Sequence, residues 1–141
     1  MTLEELQNLW REDSKIDPDN LHEEALKIPL LHSKYHDIQN LFYQKKKNIE
    51  IEYNNLYTEK TLYYIGKSNP EVYNKKPWPH KVLKNDVNLY LNCDEELVKL
   101  KTKLDYYGYL MSYLTDILKM IHNRSFQIRD SIEFSKFIAG Q

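Results

Sequence analysis

At 141 residues and 17.1 kDa the chain has room for one domain of ordinary size. Its 41% hydrophobic residues and 12 tyrosines argue for order, while three glycines and five prolines are too few for a many-turned β-sandwich, which leaves a mostly helical chain. A formal net charge of −1 conceals segregation: residues 1–26 carry two bases against eight acids, residues 27–84 eleven lysines against five acids, and residues 85–141 seven bases against eight acids.

Thr2 with Glu5 three positions on reads as a capping box, and Leu3, Leu6, Leu9 and Trp10 form an apolar stripe, so a short amphipathic helix opens the chain. Asp17-Pro18 predicts the cap and first turn of a second helix carrying Leu21, Ala25 and Ile28, which Pro29 ends or kinks. A long helix with an imperfect seven-residue repeat through Leu31, Tyr35, Ile38, Phe42, Ile49, Leu56 and Tyr63 follows, stopping at Gly66. Pro70 to Pro79 predicts an irregular connection, and another helix begins near Asn85 or Asp86, with a possible interruption at residues 92–94.

The clearest periodicity comes next. Leu97, Leu100, Leu104, Tyr107, Met111, Leu114, Leu118 and Ile121 alternate in steps of three and four, a heptad seam, and Leu110, Tyr113, Ile117 and Met120 form a second stripe beside it. One partner cannot cover both: either both stripes pack in the chain's own core or, as the more economical expectation, one packs within the subunit and the other against a second subunit. A final helix carries Phe126, Ile128, Ile132, Phe134, Phe137 and Ile138. The organisation expected is a single helical domain: acidic N-terminal helices over 1–29, a long basic and tyrosine-rich helix over 30–66, a proline-containing connection over 67–84 and a helical oligomerisation region over 85–141.

Catalytic and metal chemistry find no motif. There is no Gly-rich phosphate loop, no Cys-rich metal spacing and no nucleophile motif, and His32 and His36 share a helical face without a third ligand nearby. The expectation is a non-enzyme with no cofactor and no metal. One cysteine, the charged start and the lack of a long apolar run point to a soluble, non-secreted chain.

The middle segment is the candidate polyanion surface, since it joins its positive charge to seven of the tyrosines. Lys45, Lys46 and Lys47 surround most of one helical turn. Lys60, Tyr64 and Lys67 recur on one face beside Tyr63, the mixture single-stranded nucleic acid requires: cations along the phosphates and aromatic faces under the bases. Tyrosines 63 and 64 as core residues, with Lys60 solvated, fit the spacing equally well.

The same residues resemble the UvsY family, the recombination mediators of T-even-type bacteriophages. The similarity runs almost end to end, through Leu3-Glu4-Glu5-Leu6-Gln7, Tyr63-Tyr64-Ile65-Gly66-Lys67, Val82-Leu83, Leu104 to Leu110, Arg124-Ser125-Phe126-Gln127-Ile128 and Phe137-Ile138-Ala139-Gly140. The resemblance implies an all-α protein with long helices and a coiled-coil-like C-terminal seam, assembled into a ring of six or seven identical subunits. It also implies binding of single-stranded DNA and loading of a RecA-like phage recombinase onto DNA covered by the phage single-strand-binding protein, in recombination, repair and replication in the host cytoplasm. Lys60 matches the second of two basic residues in the family's DNA-binding motif, Thr58 departs from the first, and Lys67 matches a base after the glycine. The region from Leu104 onward corresponds to the family's oligomerisation segment. The rival reading is a helical oligomeric adaptor or structural phage protein that does not touch nucleic acid.

Overall fold

The computed structural model describes residues 1–140 and is all-α, with no strand among them. Six helices follow one another: α1 (Leu3–Asp13), α2 (Leu21–Leu26), α3 (Ile28–Tyr64), α4 (Pro70–Lys75), α5 (Val87–Cys93) and α6 (Glu95–Ile138). The chain forms two compact units. Unit 1 comprises 1–43 and 109–141, and unit 2 comprises 44–108, so α3 and α6 each contribute to both.

Unit 1 is organised around one buried cation. The capping box at Thr2 and Glu5 starts α1 as the sequence predicts, with the Thr2 hydroxyl accepting from the Glu5 N–H and the Glu5 carboxylate from the Thr2 N–H. Where α1 ends, its carbonyls and the next turn are taken up by Arg124 of α6, whose guanidinium donates to Asp13 O (2.8 Å), Lys15 O (2.9 Å) and Glu24 Oε2 (3.1 Å). The Asp13 carboxylate in turn accepts from the Tyr35 hydroxyl (2.8 Å) and the Lys34 ammonium (2.6 Å). Trp10 meets Tyr35 edge to face, and Leu6 and Tyr35 are fully buried beside this network.

Asp17 and Pro18 stand in a turn before α2 instead of starting it. The Asp17 carboxylate accepts from the Asp19 N–H and the Asn20 amide, a local ring that competes with helix initiation, and Asn20 becomes the N-cap. Pro29 lies in the first turn of α3, as its second residue, rather than kinking α2, because there its missing N–H costs nothing. Only Lys27 separates the two helices.

Two further expectations are corrected. Pro70 to Lys75 is helical, with Pro70 at the first position after the N-cap Asn69, so the connection is not irregular throughout. No break precedes Phe126: α6 runs unbroken for 44 residues to Ile138.

The two apolar stripes of α6 are not divided one inside and one outside. In unit 1 the buried row is Leu110, Leu114, Ile117, Ile121, Arg124 and Ile128, which takes alternate members from both stripes. Met111, Tyr113 and Leu118 are half-buried, and Met120 is exposed. The row still steps by fours and threes, but it is displaced from the Leu97, Leu100, Leu104, Tyr107 register by one step of three in place of four at Gly108. Such slips arise because 3.6 residues per turn does not divide seven.

Candidate nucleic-acid interface

In unit 2 the C-terminus of α3 carries the sequence-predicted cluster. Gly66 adopts φ +81°, and around it Lys67 N–H donates to Leu62 O (2.9 Å) and Gly66 N–H to Tyr63 O (3.2 Å), the pair of bonds that closes a helix through a left-handed glycine. The returning chain completes the cap with side chains. Tyr73 donates its hydroxyl to Tyr63 O (2.8 Å), and the Trp78 indole N–H donates to Tyr64 O (3.1 Å). These bonds satisfy carbonyls that a helix end leaves without partners.

Tyr63 is buried at the centre of an aromatic group, stacked on Tyr73 with ring centroids 5.4 Å apart, and its hydroxyl donates to Lys76 O (3.0 Å). Tyr64 lies edge-on to Trp78 (4.9 Å) and stacked on Tyr90 (5.7 Å). Neither tyrosine presents a free face of the kind expected of a base-stacking platform. They hold the return segment onto α3.

Lys60 is also engaged. Its ammonium lies 3.3 Å from Asp94 Oδ2 and 3.6 Å from Glu96 Oε2, with 12% of its side chain exposed. Asp94 is the centre of the arrangement: Oδ2 also accepts from the Tyr64 hydroxyl at 2.6 Å, while Oδ1 accepts from the N–H groups of Glu96 and Leu97 and so caps α6. Burial works against the charged form of Asp94, but the bonds from Tyr64, Leu97 and Lys60 outweigh it and hold the carboxyl below its ordinary range. Burial first, and then the bond to Asp94, push the Tyr64 phenol up.

Lys67 is exposed, as is Lys76 on the segment after α4, and no carboxylate stands within ion-pair distance of either among the described residues. Together with Lys60 and Tyr63 they line an open cavity of about 520 Å³ whose floor is apolar. Lys45, Lys46 and Lys47 are not part of it. They lie on α3 at least 13 residues before Lys60, or roughly 20 Å along the helix axis, and Lys47 pairs with Glu50 at 3.3 Å.

The charge segregation of the sequence follows the division of the fold. Unit 2 holds twelve lysines against nine acids, a net of +3, and unit 1 eight bases against twelve acids, a net of −4. Asp94, Tyr73 and Trp78 are the residues that sequence reasoning passed over. Asp94 was within reach, since an aspartate followed by Glu95-Glu96 and then Leu97 is a helix-start signal.

The family described as recombination, repair and single-stranded-DNA-binding protein UvsY matches residues 9–141. The chain belongs to the UvsY family. It is 26% identical to the recombination protein uvsY of Enterobacteria phage T4 over 141 residues, which is the whole of both chains. It also superposes on the crystal structure of the bacteriophage T4 recombination mediator protein UvsY in lattice type II, with TM-score 0.88, 25% identity, and 99% and 98% of the two chains covered. A second crystal form, lattice type I, gives TM-score 0.86 at 23% identity, covering 94% of this chain and 98% of that one, and shows the shared fold. By family the chain is a recombination mediator.

Proposed function

We propose that this mediator is not an enzyme, that it holds single-stranded DNA on unit 2, and that it helps a RecA-like recombinase onto DNA occupied by a single-strand-binding protein in the host cytoplasm. The observation that carries the DNA face is the exposed pair Lys67 and Lys76 at the cavity mouth of the positively charged unit. Lys45 to Lys47 would extend the track along α3. Lys60, Tyr63 and Tyr64 would act from beneath it, shaping the surface that the strand crosses.

Assembly is the second part of the proposal. The chain would form a homo-oligomeric ring, six or seven subunits as the family resemblance implies, so that weak individual patches act on one strand at high effective concentration. Large apolar side chains exposed at the end of α6 support an intersubunit contact, with Phe137 at 78%, Ile138 at 68% and Phe134 at 63%. Of the seam residues, Leu104, Tyr107, Met111, Tyr113 and Leu118 are the half-exposed ones that such a contact could reach. Mediation would then be mass action, since a mediator that favours the recombinase-bound form of DNA shifts the equilibrium by its differential affinity.

The test is anisotropy of labelled oligo-dT and of a duplex of equal length, titrated with the protein between low and moderate salt. Single strands should bind more tightly, with affinity falling steeply as salt rises. Affinity independent of salt, or equal for both forms, would favour the adaptor reading.

A further inference from the structure

The cavity at the end of α3 has a composition that the DNA-binding reading alone does not require. Its floor is Leu56, Leu62, Tyr63 and Val72, with Leu62 and Val72 about two-fifths exposed, and its rim holds Lys67, Lys76 and Asn69. A track for phosphates needs the lysines and no apolar floor. An apolar contact between helices needs the floor and no unpaired cations. A nucleotide needs both, because its base is a flat, largely apolar ring system with polar edges and its phosphate is an anion.

Asn69 supplies what a base edge would meet. It occupies the N-cap position of α4, yet its side chain makes no capping hydrogen bond, so an amide donor and an amide acceptor remain unspent at the rim. The acids at the rim are Glu59 and Glu96, and Glu96 lies 3.6 Å from Lys60. Neither acid lies within ion-pair distance of Lys67 or Lys76, which keep their charge for a ligand. The volume, about 520 Å³, falls in the range that accommodates drug-sized ligands, a class that includes one nucleotide.

We infer that this cavity is a base-binding subsite: one base of a bound single strand turns out of its stack and lies on the exposed apolar surface of Leu62 and Val72, with Asn69 at its edge and the adjoining phosphates on Lys67 and Lys76. The inference rests on the DNA-binding reading and deepens it. Strand binding would then combine a sequence-tolerant contact to a base with the salt-sensitive contact to phosphates.

The experiment compares labelled oligo-dT with an abasic strand of the same length, bound to the full-length protein at fixed salt, with light scattering and circular dichroism on every preparation. The wild type should prefer the base-bearing strand by about tenfold, the scale of roughly 55 Å² of apolar surface leaving water. Val72→Trp, which fills the cavity from a partly exposed position, should bring the two affinities together while leaving the salt slope and the elution volume unchanged. Asn69→Ala removes a side chain without hydrogen-bond partners in the fold and should reduce the preference severalfold at full helix content. It decides the matter if the tryptophan variant does not fold. A wild type that binds both strands equally, or variants that keep the full preference, would overturn the subsite while leaving strand binding intact. Dissociation of the assembly by Val72→Trp would assign the cavity to a subunit contact and also overturn it. Binding of neither strand at any salt would remove the DNA-binding reading and the subsite together.

Discussion

The Lys60 ammonium stands 3.3 Å from Asp94 Oδ2, with only 12% and 4% of the two side chains exposed. One carboxylate thereby holds the end of α3, through Lys60 and Tyr64, and starts α6 through its other oxygen. Lys60 is thus committed to an internal ion pair. Asp94→Asn keeps an oxygen that can cap α6 but removes the charge opposite Lys60. It should cost about 1–3 kcal/mol of stability, the scale of a lost charge-assisted bond, and raise affinity for oligo-dT severalfold as Lys60 turns to the strand. Urea denaturation and anisotropy on the same preparation check both. A loss of affinity as large as that of Lys60→Ala would show that the pair itself shapes the DNA surface.

The same carboxylate sets a pH dependence. Its folded-state pKa is depressed, so unfolding takes up a proton in acid, and its contribution is complete above the unfolded value of about 3.9 and lost as pH falls through the folded value. The stability difference between wild type and Asp94→Asn should be constant from pH 6 to 8 and shrink below roughly pH 4. Denaturant melts across that range measure it, and a difference that grew in acid would contradict the assignment.

Arg124 has no role in the DNA proposal, yet it joins α6 to the end of α1 and to Glu24 of α2. Removing one partner of a buried pair leaves the other uncompensated, so Arg124→Ala should destabilise the protein by about 3–5 kcal/mol. Thermal melts should show this together with loss of the Trp10 environment. Glu24→Gln, which retains an acceptor, should cost less.

Leu114 and Phe137 separate core from contact. Leu114 is fully buried and Phe137 is 78% exposed. A glutamate at 114 places a charge in the core and should unfold unit 1, whereas Phe137→Glu should leave helix content intact and reduce the mass read by light scattering. A folded, fully assembled Phe137→Glu would move the subunit contact away from the end of α6.

Much of the architecture was legible because local signals and tertiary structure agree. The Thr2 and Glu5 capping box, Gly66 as a helix stop and the break before Glu95 all appear where short-range chemistry puts them. Asp17-Pro18 misled because a side-chain ring and a helix cap use the same residue types. The inside and outside of α6 were not legible, since two adjoining stripes offer several rows to the core and Arg124 selects among them by its distant partners on α1 and α2. The site was legible only in part. Spacing placed Lys60, Tyr63, Tyr64 and Lys67 together, but it carried no trace of Asp94 arriving from 34 residues away or of Tyr73 and Trp78 folding back over the helix end.

On the proposed reading, exposed Lys67 just past α3 and Lys76 just past α4 neutralise phosphates of the bound strand. The most direct measurement is the slope of log K against log salt for oligo-dT, wild type against Lys67→Ala/Lys76→Ala. With single strands each phosphate contact contributes about −0.7 to that slope, so the double variant should show a visibly shallower slope at unchanged helix content and subunit number. A slope identical to that of the wild type would contradict the account and move the phosphate contacts elsewhere, with Lys45 to Lys47 the next residues to replace.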